Sequence, residues 1–306
     1  FNDVIYNKKW NDLMKHQGKH YSVGIKKEQR EYIIFNETRF RLEGQKTPLE
    51  WYKEGKWTWS QFVETAKKMT NSSKDQYGFT GSGFRDKSSP YPMIKVDEKG
   101  KLSLNVLDPN HITYMTEMFK LVKIHKAVRT DVASANWREE FVKGKDAMLV
   151  ANEYEFSVIC KTSEKIGGDD FGIAPMPVFD PTGEKQPYYT ATIMAHSIAS
   201  KSKNPEGAAE YIRLRATINY QMQEKLGVYE SAEKYLTSEE RKALNEQANT
   251  PLTYQLIHNI GNCSAILDKV NKQRTAPDSN ISVRAMYEAI IPELQREIDE
   301  YNKKIK

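Results

Sequence analysis

Phe141-Val-Lys-Gly-Lys-Asp-Ala-Met-Leu-Val-Ala-Asn-Glu-Tyr-Glu-Phe156 changes structure three times within one short stretch. Trp137 to Val142 has the apolar spacing of a short helix, and Gly144 closes it, because glycine enters the left-handed region without a Cβ clash. Ala147-Met-Leu-Val150 is a continuous apolar run, too short for a helix, that reads as a buried strand. Asn152 and Glu153 then open the next element, with Tyr154 and Phe156 close behind. Helix, glycine turn, buried strand and new element in succession are the grammar of an α/β protein.

The same alternation continues toward the C-terminus. Phe171-Gly-Ile-Ala174 is a strand cut off by Pro175 and Pro177. Thr190 to Ala199 is the longest strand-like run, and Asn204-Pro205 caps a helix carrying Ala208, Ala209 and Ile212. Thr237 and Glu240 have capping-box spacing. Val283, Met286, Ile290, Leu294, Ile298 and Tyr301 share one helical face, with Pro292 expected to kink that helix or start its last section.

Toward the N-terminus, Asp108 and Pro109 start a helix whose apolar face is Ile112, Met115, Phe119 and Val122. Asp97 to Gly100 is a turn between Ile94–Val96 and Leu102–Leu104. Tyr77 to Gly81 reads as a strand opening into the Gly-, Ser- and Pro-rich stretch Ser82 to Pro92. Thr58 and Gln61 have capping-box spacing before Phe62, Val63, Ala66 and Met69. Tyr32-Ile-Ile-Phe-Asn36 is β-branched and aromatic, and Lys19 to Ile25 is a shorter strand pattern.

Composition sets the outer bounds. With 306 residues, the chain has room for two lobes. It is 39% hydrophobic and 28% charged, which separates it from disordered chains. No apolar run approaches the roughly 18 residues of a membrane span. The net charge of +5 is spread among interleaved acids and bases; a nucleic-acid surface concentrates its basic residues with aromatics between them, so no nucleic-acid partner is expected. The chain opens at Phe1 without an initiator Met or a leader, so any signal peptide is expected to be gone already.

The sequence contains no G-x-S-x-G, HExxH, Walker A or G-x-G-x-x-G motif. His16 and His20 have helical spacing, but Gly18 between them argues against a helix and against a metal pair. Cys160 and Cys263 are far apart with no CxxC, and read as two buried thiols. Neither a metal nor a cofactor is expected.

Several blocks together resemble the family-1 extracellular solute-binding proteins, the large group that includes maltose-binding protein. They are Trp10–Met14 with Gly18–Gly24, Tyr32–Phe40, Thr47-Pro48 through Trp57–Phe62, Phe141–Met148, Phe171–Pro177 and Ser197–Glu206, in the family's order. The resemblance implies a two-lobed, type II periplasmic-binding-protein-like α/β fold. Residues 1–31 would be a remnant of lobe 1 up to the hinge, 32–191 lobe 2, 192–250 a return to lobe 1, and 251–306 a hinge crossing and C-terminal helices on lobe 2. Crossings are expected near Ile25–Tyr32, Thr190–Ser197 and Thr250–Asn259. The family places roughly one hundred further residues before the hinge, a usual size for most of a lobe, so lobe 1 is expected to be incomplete in this sequence.

The function implied by the resemblance is capture of a sugar for the permease subunits of an ABC importer, by a monomeric cell-surface lipoprotein or periplasmic protein that is not an enzyme. Two alternatives stay open: a glycoside-processing enzyme with two carboxylates across the cleft, and a surface sensing or adhesion module with the same fold. Sugar capture needs aromatic faces for the C–H side of the ring and amides or carboxylates for its hydroxyls. The family's aromatic platform after the buried strand maps onto Tyr154, with Asn152 and Glu153 as hydrogen-bonding groups. Phe84 and Phe79 flank the place of a second contact loop, although Phe79 also fits a core role inside its strand. Tyr189 precedes the returning strand, and Asn262 lies in a polar turn near the last expected crossing. Trp57, Trp59, Trp137 and Phe156 read as packing residues.

Overall fold

The computed structural model describes residues 11, 15–16, 19–24, 29–80, 88–130, 137–183, 185, 191–192, 195–225, 230–250, 255–275 and 281–304. Its strands are β1 (Lys15–His16), β2 (Lys19–His20), β3 (Val23–Gly24), β4 (Gln29–Arg30), β5 (Tyr32–Asn36), β6 (Tyr77–Thr80), β7 (Ile94–Val96), β8 (Leu102–Leu104), β9 (Val128–Arg129), β10 (Asp146–Ala151), β11 (Phe171–Ala174), β12 (Ala191–Thr192) and β13 (Ala195–His196). Helices are α1 (Glu37–Leu42), α2 (Pro48–Lys53), α3 (Trp59–Lys68), α4 (Pro109–Lys123), α5 (Trp137–Val142), α6 (Glu153–Ile166), α7 (Pro205–Lys225), α8 (Glu230–Glu233), α9 (Ser238–Ala248), α10 (Cys263–Thr275) and α11 (Val283–Lys304).

The main sheet has five strands in the order β11-β5-β10-β6-β9. Strand β5 is buried along its whole length, and its side chains divide between two cores. Ile33 and Phe35 face the core built with α3, α4, α10 and α11, while Tyr32 and Ile34 face the one shared with α5, α6 and α9. That division follows from the two-residue period of a strand, and it explains why the run lacks a polar face. On the first side, Trp59 stacks on Phe62 with centroids 5.1 Å apart, and Phe79 meets Phe62 edge-on at 5.3 Å. Helix α3 lies so close to β6 that a Cβ on Gly78 would come within 1.9 Å of the Ala66 carbonyl oxygen, so only glycine fits there.

Several local expectations take definite form. Asp108 caps α4 through the Asn110 and His111 N–H groups, with Pro109 in the first turn. Thr237 and Glu240 form a reciprocal capping box at α9, whereas Thr58 at α3 makes only the forward bond to Gln61 N–H. Helix α11 runs through Pro292 from Val283 to Lys304 rather than ending there. Of the run from Thr190 to Ala199, the described residues form β12 and β13, and Ser197 to Ala199 are not strand. His16 and His20 lie on the β1–β2 pair, opposite Lys19 and Lys15. Cys160 and Cys263 are free and buried, and burial pushes their thiols up to about 12 and about 11, which leaves them inert.

The described residues of 192–250, expected to return together to the first lobe, pack in two different places. Helix α7 packs with Val23 through Ala216 and Ile212. By Glu230, however, the chain is back against the main sheet, with Ala232 and Leu244 in the same core as Tyr32 and Ile34. The physical reason is an edge. Strand β11 borders the sheet, so alternate N–H groups point away from β5 and need partners. Glu240 Oε1 accepts from Ile173 N–H at 2.8 Å, and Gln247 Oε1 accepts from Met176 N–H at 3.0 Å. Seven helical residues rise about 10.5 Å, which lets α9 hold Ile173 within β11 and Met176 two residues beyond its end.

His111 lies fully buried between Ser89 Oγ, 2.9 Å from Nδ1, and Tyr287 OH, 3.1 Å from Nε2. Burial drives its pKa down to about 3, opposed by Asp108 and assisted by His258. The unfolded chain takes up the proton first, so this contribution to stability is whole above about pH 6.5 and is lost as pH falls toward 3. Urea denaturation at about pH 7 and about pH 4.5 should show a smaller difference for His111→Gln than for the wild type. Glu240→Ala should cost about 1–3 kcal/mol in the same assay at neutral pH, since it leaves the buried Ile173 N–H unpaired; an unchanged midpoint would contradict edge cover by α9.

Candidate functional site

Strand directions define one rim of the sheet. Strands β6 and β9 are parallel, as are β6 and β10, so their C-terminal ends at Thr80, Arg129 and Ala151 point the same way. Strand β5 is antiparallel to β10 and β11 is antiparallel to β5, which brings the start of β5 at Tyr32 and the end of β11 at Ala174 to that rim. In α/β sheets, ligands bind outside the carboxyl ends of the parallel strands. The two short ladders, Arg30–Ala191 with Gln29–Thr192 and Gly24–Ala195 with Val23–His196, leave from the same side.

Helix α6 starts on this rim directly after β10. The Asn152 side chain caps it, accepting from Glu155 N–H at 3.0 Å, and that bond fixes the direction of the first turn. Phe156, Ile159 and Cys160 form the buried stripe of the helix. Tyr154 stands off that stripe and is 59% exposed. The Tyr32 hydroxyl, at the end of a ring buried in the core, donates to Glu153 Oε1 at 3.2 Å. Arg138 Nε donates to Glu155 Oε2 at 3.0 Å. The first turn of α6 thus presents an accessible aromatic ring between two anchored carboxylates.

Two glutamines hold the backbone behind the rim. Gln247 Nε2 donates to the Glu31 carbonyl at 2.9 Å while its Oε1 takes Met176 N–H. Gln255 Nε2 donates to the Ser89 and Tyr91 carbonyls at 2.7 and 2.8 Å, and its Oε1 accepts from Met93 N–H at 3.2 Å. Ser88 Oγ donates to Glu31 Oε2 at 3.4 Å. The end of the Gly-, Ser- and Pro-rich stretch is therefore tied to the first crossing at Glu31.

The structure gathers Tyr154, Asn152 and Glu153 at the start of α6, but it does not treat all the expected residues alike. Phe79 is corrected: it is 1% exposed and packed edge-on against Phe62, closed away in the core. Phe84 and Tyr189 lie outside the described residues. Asn262 opens α10, where its N–H donates to Glu297 Oε2 of α11 at 3.1 Å. Sequence reasoning missed Tyr32, Gln247 and Gln255. Tyr32 had a signal, since it is the only hydroxyl-bearing side chain in an otherwise apolar or amide-ended strand.

Two concavities lie elsewhere. One of about 280 Å³, lined by Glu37, Cys160, Gly168, Phe171 and Tyr235, is at the opposite end of the sheet, and one of about 370 Å³ lies between Leu104–Pro109 and α11. Neither touches the rim. Among the described residues no group of three or more His, Cys, Asp or Glu side chains is arranged to hold a metal ion, and no helix is long and apolar enough to cross a membrane.

The profile of the bacterial extracellular solute-binding proteins matches residues 2–242. A search of curated protein sequences finds no match. Among solved structures, the chain is similar to an ABC transporter solute-binding protein from Thermotoga lettingae bound with α-D-tagatose, at 13% identity and TM-score 0.69, covering 96% of this chain and 76% of that one. It is similar to UgpB from Mycobacterium tuberculosis in complex with glycerophosphocholine, at 15% identity and TM-score 0.67, over 98% and 76%. A third is the maltose/maltodextrin-binding domain of Bdellovibrio bacteriovorus bound to maltotriose, at 16% identity and TM-score 0.62, over 97% and 76%. At these identities the likeness is one of fold: a mixed α/β, two-lobed periplasmic-binding-protein fold.

Exposure separates the aromatic candidates energetically. Tyr154→Ala should change folding stability by less than about 0.5 kcal/mol, as surface substitutions do. Phe79→Ala should cost about 3–5 kcal/mol, as buried aromatic truncations do. Chemical denaturation of the two variants measures both, and a reversed ranking would overturn the placement of each ring.

Proposed function

We propose, on the premise that the chain belongs to the bacterial extracellular solute-binding proteins, that it captures a carbohydrate at the sheet rim and delivers it to the permease subunits of an ABC transporter. In this reading it binds its ligand without transforming it, and it works as a monomeric protein of the periplasm or, through a lipid anchor, of the cell surface. The main sheet with α1–α6 and α8–α11 would form one lobe, with β3, β13 and α7 in the other and the β4–β12 ladder at the crossing. The ligand would be enclosed between them by closure about the crossing strands.

The observation that carries this reading is Tyr154, a large exposed ring held at the start of a capped helix on the carboxyl rim of the sheet. A pyranose presents slightly positive C–H groups on one face and hydroxyls around its edge; the tyrosine ring suits the first and Asn152 and Glu153 the second. The bound sugars of the Thermotoga and Bdellovibrio structures support the same ligand class. A phosphodiester such as the ligand of the Mycobacterium structure is less well suited. A bare helix N-terminus attracts anions, but the first turn of α6 already carries the carboxylates of Glu153 and Glu155. Their charge opposes a phosphate and accepts hydroxyl protons instead.

A thermal-shift screen of neutral mono- and oligosaccharides tests the class, because a ligand that binds only the native state raises the melting temperature. With a sugar identified, Tyr154→Ala should weaken binding by about 1–3 kcal/mol in calorimetric titration. Failure of every sugar to stabilise the chain, with stabilisation by a phosphodiester, would sink the carbohydrate reading. Full affinity in Tyr154→Ala would remove the ring from the site.

A further inference from the structure

Arg30 is 3% exposed and stands in the first crossing strand, β4, paired with Ala191 of the second crossing. Its guanidinium reaches out of that ladder to the end of α9. Nη1 donates to the Gln247 carbonyl at 3.1 Å and Nη2 to the Ala248 carbonyl at 2.8 Å. The last carbonyls of a helix lack intrahelical donors and carry the negative end of its dipole, so a cation is well placed there. The next residue along the crossing is gripped as well, through the bond from Gln247 Nε2 to the Glu31 carbonyl.

Helix α9 is in turn fixed to the main sheet. Glu240 and Gln247 hold the edge amides of Ile173 and Met176, and Tyr52 OH of α2 donates to Glu246 Oε2 at 2.7 Å. The second ladder, β3 with β13, sits instead with α7, where Val23 packs against Ala216 and Ile212. Two short ladders thus lie along the same pair of crossing strands, and the first is bound to the sheet-bearing body by the Arg30 and Gln247 side chains.

We propose that Arg30 and the last turn of α9 form a hinge clamp that makes the β4–β12 ladder part of the sheet-bearing body and limits how far the two bodies separate. This rests on the two-lobed reading of the chain. A restricted set of open conformers leaves less freedom to be lost on closure, so the clamp favours binding of any ligand that requires closure, whatever its chemistry. Arg30 is a positioning residue in this account and touches no ligand.

The test uses Arg30→Met, which keeps the aliphatic stem and removes the fork, with Arg30→Lys as the milder variant that retains a single donor group. In the ligand-free full chain, hydrogen exchange at Arg30–Tyr32 and Ala191–Thr192 should rise about tenfold or more in Arg30→Met and less in Arg30→Lys. The radius of gyration from small-angle scattering should increase in the same order. Affinities for chemically different ligands should all weaken by one common factor of about 3–10, the signature of a shifted conformational equilibrium rather than a lost contact. Faster exchange confined to α9, with the crossing ladder and the scattering unchanged, would reduce Arg30 to a helix cap and overturn the clamp. Ligand-dependent changes in affinity would overturn it too, by making Arg30 a contact residue. If Arg30→Met does not fold, the exchange and scattering of Arg30→Lys decide by the same criteria. Those two measurements need no ligand, so they stand even if the sugar screen fails.

Discussion

Strand β5 has no exposed residue from Tyr32 to Asn36, and burial on that scale dictates what surrounds it. A buried backbone must have each N–H and carbonyl paired, which β10 on one side and β11 on the other accomplish. Its two side-chain rows must both be covered, which requires helices on each face and produces the two cores. The chain before Tyr32 and after Ala174 then leaves from one end of the sheet, and so does the helix that follows β10. The rim is therefore a consequence of how the central strand is buried. Its position needed no separate signal.

Where the sheet stops, the constraint passes to α9. Strand β11 ends the pairing on its side, so the demand for hydrogen-bond partners falls on Glu240 and Gln247. This holds α9 against the main sheet and brings its C-terminal carbonyls within reach of Arg30. One unsatisfied edge thereby couples the interior of the sheet to the crossing strands.

The alternation of elements was legible because it rests on local chemistry: Gly144 after α5, the Asp108 and Thr237 caps, and the apolar run before Asn152. Tyr154 was singled out through the family resemblance, and its exposure fits a ring off the buried stripe of α6. The placement of α9 was not. Glu240 and Gln247 lie two turns apart in a polar helix, a pattern identical to a solvated face, and nothing local says that edge amides await them. Phe79 shows the converse: a ring in a short strand can face either side, and its contact with Phe62 depends on how closely α3 approaches Gly78. Tyr32, Gln247 and Gln255 were hidden because their partners are backbone atoms or side chains far away in sequence.

The choice between carboxylate and amide at these buried positions follows from what each one faces. Glu240 meets only donors: Ile173 N–H on one oxygen, and the N–H and hydroxyl of Thr237 on the other. An ionised carboxylate, which only accepts, satisfies all three. Gln247 faces an N–H at Met176 and a carbonyl at Glu31, and Gln255 faces an N–H at Met93 and carbonyls at Ser89 and Tyr91. A glutamate at either position would set its charge against a carbonyl oxygen and leave that oxygen without a donor. Only a group that donates and accepts at once closes both contacts, and a neutral amide does so without burying a charge. The two amides therefore hold Glu31 and the 89–93 segment in place over the whole pH range in which the fold survives, while the Tyr154 ring at the start of α6 meets the solvent.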